Sequence, residues 1–173
     1  MRGHMAWAFL ALWAASILAA LLVYGQKQLS EFDPNAVLLH HSTAASFDHD
    51  VVEQLRKMDI QAGSIVHIGS TQDCYCERLT EPHQRQLLSR LNPSYKLIST
   101  TIETQPSLKN FIPSTPALIV LDDAFQLRYI GPYATGYGCF TGKNLVDTIV
   151  SYTQQSPYNG AVVNADATGC FCT

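Results

Sequence analysis

Residues 64–76 read SIVHIGSTQDCYC, an apolar run that ends in two cysteines one residue apart, Cys74 and Cys76. The run is short and continuous, which is typical of a buried strand. Two thiols at a strand end indicate redox chemistry, since the N-terminal dipole of a following helix lowers a thiol pKa. Forty residues after Cys76 (116 minus 76), Thr115-Pro116 opens a second apolar run. The sequence therefore predicts two neighbouring strands with a cysteine loop between them.

Hydrophobic periodicity around this stretch predicts an α/β domain. The first expected strand is 36–40, and a helix is expected over 48–58. Further strands are predicted at 64–68, 95–101, 117–121 and 126–130, with helices at about 76–91 and at 143–152. Pro82 predicts a kink or a late start in the helix that follows the cysteines. The element order is β-α-β-α-β-β-β-α.

This order, together with the cysteine loop and Thr115-Pro116, resembles the thioredoxin-like superfamily over about residues 36–153. The resemblance extends to small membrane-anchored bacterial members with a Cys-x-Cys loop, and it implies a central mixed sheet flanked by helices. A gapless overlay on the family's Cys-x-x-Cys places Cys76 at the resolving position. The same overlay puts Asp73 where the family's attacking cysteine stands, so the motif is one residue shorter than the family pattern.

We expect Cys74, the more loop-exposed of the two cysteines, to be the attacking thiol, and Cys76, at the start of the following helix, to be the resolving thiol. A disulfide across one intervening residue closes a small, strained ring, which favours oxidase or isomerase work over reduction. The alternative is a structural disulfide or two unreactive thiols. On the same overlay, His67 occupies the place of the family's buried proton acceptor, and an imidazole suits that role. A core histidine satisfied by backbone groups is the other interpretation.

Thr115-Pro116 resembles the family's cis-proline element, in which the backbone of the residue before proline binds a substrate peptide. The alternative is a trans proline at the first position of a strand, where proline is tolerated. His40 and His41 have no assigned role, because adjacent side chains on a strand point to opposite faces.

Three further cysteines follow the predicted hairpin. Cys139 lies in a glycine-rich loop before the last helix, and we expect it either to approach Cys74 or the C-terminal tail or to serve packing alone. Cys170 and Cys172 form a second Cys-x-Cys on a polar segment, 157–169, that the composition marks as flexible. Three interpretations of this pair stay open: a disulfide that tethers the tail, for example to Cys139, a redox shuttle, or a metal site.

The N-terminus predicts a membrane anchor. Residues 6–24 are nineteen residues without a charge, about 28 Å at helical rise. A cleaved signal peptide is the competing interpretation, but its apolar region is usually shorter. The predicted organisation is a short tail at 1–5, the anchor at 6–24, a spacer at 25–35, the domain at 36–153 and a cysteine-containing tail at 154–173. Arg2 predicts a cytoplasmic N-terminus and a periplasmic domain on the inner membrane.

These features predict an enzyme, a membrane-anchored thiol-disulfide oxidoreductase that acts on protein thiols or disulfides and needs no cofactor or resident metal. Two alternatives remain: a Cu(I)-binding or copper-delivery module, since cysteines suit soft Cu(I), and a non-catalytic binding domain. A peroxidase is disfavoured, because Asp73 before Cys74 opposes a stabilised thiolate. With 14 acidic and 11 basic residues, the chain offers no basic stripe for nucleic acid.

Overall fold

The computed structural model describes residues 2–27, 29–72, 74–136 and 142–172. The first element, α1 (Arg2–Lys27), is an apolar helix. Its segment His4–Gly25 is long and apolar enough to cross a membrane, and none of that segment is buried against the rest of the protein. The predicted span, 6–24, lies within this segment.

The remaining elements form a mixed α/β domain. Its helices are α2 (Val37–Ser42), α3 (Phe47–Lys57), α4 (Tyr75–Arg78), α5 (Glu81–Arg90) and α6 (Val146–Thr153), with a 3₁₀ helix at Pro106–Asn110. Its strands are β1 (Ser30–Glu31), β2 (Ser64–Gly69), β3 (Lys96–Thr101), β4 (Ala117–Leu121), β5 (Leu127–Gly131), β6 (Val162–Val163) and β7 (Thr168–Gly169).

Five strands form a central mixed sheet in the order β3-β2-β4-β5-β6. The cysteine-bearing strand β2 pairs parallel with β3 and antiparallel with β4. The hairpin β4-β5 is antiparallel, as the sequence predicts, and the carboxylate of Asp122 accepts the backbone N–H groups of Ala124 and Gln126 in its turn. β2 therefore lies inside the sheet, and its C-terminal end carries the cysteine loop.

The sheet is covered on both faces. Val66, Ile119 and Ile130 belong to one apolar cluster with α2 and α3 residues such as Leu38 and Leu55. Alternate residues of the same strands face the other way, and they form a second cluster with side chains of α5 and α6; its members include Ile65, Leu118, Val120, Leu87 and Ile149. The period-2 alternation of the strands thus builds two cores, one on each side of the sheet.

The expected first strand at 36–40 is wrong, because this stretch lies at the start of helix α2. The Asp33 carboxylate accepts the N–H groups of Val37 and Leu39 at 2.7 and 2.9 Å. An aspartate that satisfies first-turn donors favours helix, and a short apolar run does not by itself distinguish helix from strand. Outer strand β3 consequently forms one edge of the sheet among the described residues.

The predicted helix after the cysteines is divided into α4 and α5. Pro82 occupies the first turn of α5, where the missing N–H costs nothing, so the late start that proline predicts is confirmed. α6 begins at Val146 rather than at 143, because the Asn144 side chain accepts the N–H of Val146.

The C-terminal segment is packed onto the domain, which differs from the expected flexible tail. Tyr158 donates a hydrogen bond to Asp48 at 2.5 Å, and β6 adds to the sheet edge beside β5. Further on, β7 pairs antiparallel with β1. The expected spacer is also partly incorporated, since Phe32 is fully buried in the core. Chain segments next to both termini of the domain therefore meet.

Candidate functional site

Two disulfides join the cysteine loop to the C-terminal segment. Cys74 is bonded to Cys172 and Cys76 to Cys170, with Cα atoms 6.5 and 5.4 Å apart. All four cysteines are partly buried. The expected tethering of the tail is thus present, but its partners are the loop cysteines, and Cys74 and Cys76 are not bonded to each other. Cys139 lies outside the described residues.

The sulfur atoms lie close enough to exchange partners. The Sγ atoms of Cys74, Cys76 and Cys172 are all within 4.8 Å of one another. Thiol-disulfide exchange needs a thiolate next to a disulfide sulfur, and each of these atoms neighbours the other disulfide. The four cysteines therefore form one cluster rather than two independent disulfide bonds.

The tail is held at Thr115 as a short antiparallel bridge. The Thr115 N–H donates to the Cys172 carbonyl at 3.0 Å, and the Cys172 N–H donates to the Thr115 carbonyl at 2.7 Å. The Thr115-Pro116 peptide is cis, as expected. Both backbone groups that the sequence assigned to peptide binding are therefore occupied by the chain's own C-terminal segment.

A buried polar network lies next to the cysteines. His67 Nε2 contacts Glu77 Oε1, while Nδ1 accepts from the Gln84 amide at 3.2 Å and lies 3.1 Å from the Tyr133 hydroxyl. With Gln84 donating to Nδ1, the ring proton belongs on Nε2, which donates to Glu77. Burial raises the pKa of Tyr133 well above its usual value, so this phenol stays protonated. His67 is thus held by side chains and not by backbone groups.

Glu77 is positioned by the absence of a side chain at Gly69. A Cβ atom built on Gly69 would lie 2.6 Å from Glu77 Oε1, so any larger residue at the end of β2 displaces the carboxylate. The other oxygen, Oε2, is buried and has no hydrogen-bond partner among the described residues. Such an oxygen is costly to bury and retains capacity to accept a hydrogen bond.

Each disulfide borders a different space. Cys76 and Cys170 line a cavity of about 30 Å³ together with His83, Pro116 and Tyr133. That volume accommodates about two water molecules. Burial lowers the pKa of His83, which keeps its imidazole neutral.

Cys172 lines a groove of about 390 Å³, and the other three cysteines of the cluster do not line it. Glu103 and Lys109 contribute charges to its wall. The hydroxyl of Ser70 and the N–H of Thr71 donate to the Glu103 carboxylate and lower its pKa, so Glu103 is ionised at neutral pH. The groove that Cys172 lines therefore also carries one negative and one positive side chain.

The structure brings together every described residue to which the sequence assigned a site role: Cys74, Cys76, His67, Thr115, Pro116, Cys170 and Cys172. Sequence reasoning missed Glu77, Tyr133 and Gln84. Glu77 directly follows Cys76, and that adjacency was the available signal. Tyr133 and Gln84 carried no signal, because only the packing of α5 and of the segment after β5 against β2 brings them to His67.

Fold and site together define an α/β domain with a four-cysteine, doubly cross-linked site and an apolar N-terminal helix. The chain belongs to the family described as "Domain of unknown function (DUF6436)", which matches residues 43–173. No curated protein matches the chain. No solved structure matches it either.

Proposed function

We propose that this protein is a membrane-anchored thiol-disulfide oxidoreductase of thioredoxin-like fold that acts on protein disulfides outside the cytoplasm. One observation carries the proposal: Cys74 is disulfide-bonded to a segment that pairs, through Cys172, with the backbone of Thr115. A redox enzyme that holds a client peptide as a mixed disulfide needs this combination of a covalent bond and a backbone bridge.

The architecture supports the fold assignment. From β2 onward the element order is strand, helices, strand, then the hairpin β4-β5 and helix α6, as the resemblance implies. The loop after β2 delivers the cysteines, and Thr115-Pro116 immediately precedes β4, which is the antiparallel neighbour of β2. The loop after β2 and the residues before β4 thus meet at the site.

In the proposed reaction, the Cys74 thiolate attacks a client disulfide. A bond forms between Cys74 and one client sulfur, and the other client sulfur leaves as a thiolate. The Cys76 thiolate then attacks Cys74, which releases the second client thiolate and leaves a Cys74 to Cys76 disulfide. The client gains two electrons and the cysteine pair loses two, and the reverse sequence oxidises a client dithiol.

The buried network supplies the acceptor for the Cys76 proton. Cys76 and Tyr133 line the same small cavity, and the Tyr133 hydroxyl contacts His67, which in turn contacts Glu77. That cavity has room for about two water molecules, and a water there would connect the Cys76 thiol to this chain of groups. His67 and Glu77 act in this scheme as positioning and proton-accepting residues.

Client turnover tests the proposal. The full chain in detergent micelles is expected to accelerate the refolding of a scrambled-disulfide protein in a thiol buffer, and Cys74→Ser is expected to remove the acceleration. Cys139→Ser is the matched control, because it removes a thiol outside the four-cysteine cluster. A wild-type rate equal to that of Cys74→Ser contradicts the proposal.

A copper-handling module is the second candidate, favoured by the three sulfur atoms within 4.8 Å of one another. In the reduced protein these thiolates suit a soft ion such as Cu(I). If so, the reduced full chain retains about one equivalent of Cu(I) against a competing chelator, and Cys172→Ser reduces retention. Retention that is unchanged by Cys172→Ser argues against this candidate.

A further inference from the structure

The two disulfides differ in what can reach them. Cys172 borders the groove of about 390 Å³, whereas Cys76 and Cys170 border the cavity of about 30 Å³. Ligand-sized sites have volumes of about 300 Å³ upward, so the groove accommodates a peptide-sized thiol and the cavity does not. An external thiol therefore has access to the Cys74 to Cys172 disulfide first.

The two cysteines of that bond also differ in their contact with the groove. Cys172 belongs to its wall and Cys74 does not. The rate of disulfide exchange depends on which sulfur the thiolate can reach, and the departing sulfur lies on the far side of the bond under attack. Attack from the groove therefore falls on Cys172 and expels Cys74.

The charges of the groove indicate the kind of thiol. Lys109 offers a cation for a carboxylate, while the ionised Glu103 suits an ammonium or backbone N–H group. A cysteine within a peptide presents both kinds of group on either side of its sulfur. A simple neutral thiol uses neither.

Building on the proposed function, we propose that this groove is the entry site for a peptide-borne thiol, and that Cys172 is the sulfur that it attacks. The incoming thiolate bonds to Cys172, and Cys74 leaves as a thiolate. Because the Cys74 and Cys76 sulfurs are within 4.8 Å, Cys74 next attacks Cys76 and expels the Cys170 thiolate. Cys170 then attacks Cys172, forms a Cys170 to Cys172 disulfide and releases the incoming thiolate unchanged.

These three exchanges form three disulfide bonds and break three, so they require no net oxidant or reductant. They convert the cross-paired cluster into one disulfide within the loop, Cys74 to Cys76, and one within the tail. The loop disulfide is the oxidising form of the proposed enzyme, and the C-terminal segment is no longer covalently held. The incoming peptide thiol thus acts as an activator rather than as a consumed substrate.

Mapping the first mixed disulfide tests this inference. The oxidised full chain, carrying Cys139→Ser to remove the fifth thiol, is exposed briefly to glutathione, quenched with acid, alkylated and mapped by mass spectrometry. Glutathione is expected on Cys172 at the earliest times, followed by bridges from Cys74 to Cys76 and from Cys170 to Cys172. Glutathione on Cys74, or an earlier opening of the Cys76 to Cys170 bond, would overturn the inference.

A charge variant provides a second readout. Lys109→Ala is expected to slow the first exchange with glutathione about two- to fivefold, the range of an exposed ion pair, and to leave the rate with neutral 2-mercaptoethanol unchanged. Lys57→Ala is the matched control, since Lys57 pairs with Glu53 on α3 and does not line the groove. If Lys109→Ala and Lys57→Ala slow the first exchange with glutathione equally, the groove is not the entry site. The mass-spectrometric mapping measures which cysteines are disulfide-bonded and does not measure client turnover. Its outcome is therefore independent of the refolding assay.

Discussion

Replacing all four cross-linked cysteines by serine is expected to lower the free energy of unfolding by about 7 kcal/mol, whereas removing either disulfide alone costs about 2 kcal/mol. The disulfides connect residues 98 and 94 positions apart. Closing a loop of about 100 residues is worth about 4.7 kcal/mol in chain entropy. Once one bond is closed, the second closes only a ring of about six residues, worth about 2 kcal/mol. Each disulfide therefore largely substitutes for the other.

Circular dichroism during urea unfolding of the full chain in detergent measures this effect. The variants are Cys74→Ser/Cys172→Ser, Cys76→Ser/Cys170→Ser and all four changes together. A phosphine reductant should lower wild-type stability to that of the fourfold variant and leave the fourfold variant unaffected. A fourfold variant that loses no more than twice the loss of a single pair would contradict the nested-loop interpretation.

The second large effect concerns access to Cys74. A chain with serine at 76, 170 and 172 is expected to capture a peptide disulfide at Cys74, whereas the oxidised wild type without added thiol is expected to capture none. In the wild type, Cys74 is bonded to Cys172 and offers no thiolate, and the tail also occupies the backbone of Thr115. In the serine variant Cys74 is a free thiol, and only the noncovalent bridge at Thr115 competes with the peptide.

Gel-shift detection of the mixed disulfide measures the capture. The control carries Cys74→Ser in addition to the three serines, and it should capture nothing at this position. Wild type without added thiol is expected to be inactive, and brief reduction should restore capture. Equal capture by the oxidised wild type and the serine variant would show that the tail does not protect Cys74.

Strong local patterns predicted most of the fold. Strand β4 lies at 117–121 as expected, and β2 extends the predicted 64–68 by one residue. Both runs are fully buried, so the apolar signal is unambiguous. The short apolar run at 36–40 was predicted wrongly, because its conformation is determined by hydrogen bonds to the Asp33 carboxylate and not by the hydrophobic pattern.

The residues of the candidate site could be predicted from the sequence, but the disulfide pairing of its cysteines could not. Cys74, Cys76 and Thr115-Pro116 carry local signals at strand ends. The disulfide partners depend on where the C-terminal segment packs, and that segment is positioned by two-residue strands such as β6 and β7 and by single contacts such as Tyr158 with Asp48. Contacts this short leave no periodicity in the sequence.

Pairing of β1 with β7 limits how far the cysteine cluster can lie from the end of the apolar helix. Gly25 ends the membrane-length segment, and Ser30, five residues later, is the partner of Gly169, the neighbour of Cys170. Five residues extend at most about 18 Å, and a strand pair adds about 5 Å. Where the helix crosses a bilayer, this short connection therefore keeps Cys170 within about 27 Å of the end of the membrane-length segment, whatever the tilt of the domain, since one further residue adds about 4 Å. If the chain acts as the proposed oxidoreductase, its clients bring their cysteines close to the membrane surface, which favours membrane proteins or chains emerging from the bilayer over freely diffusing ones.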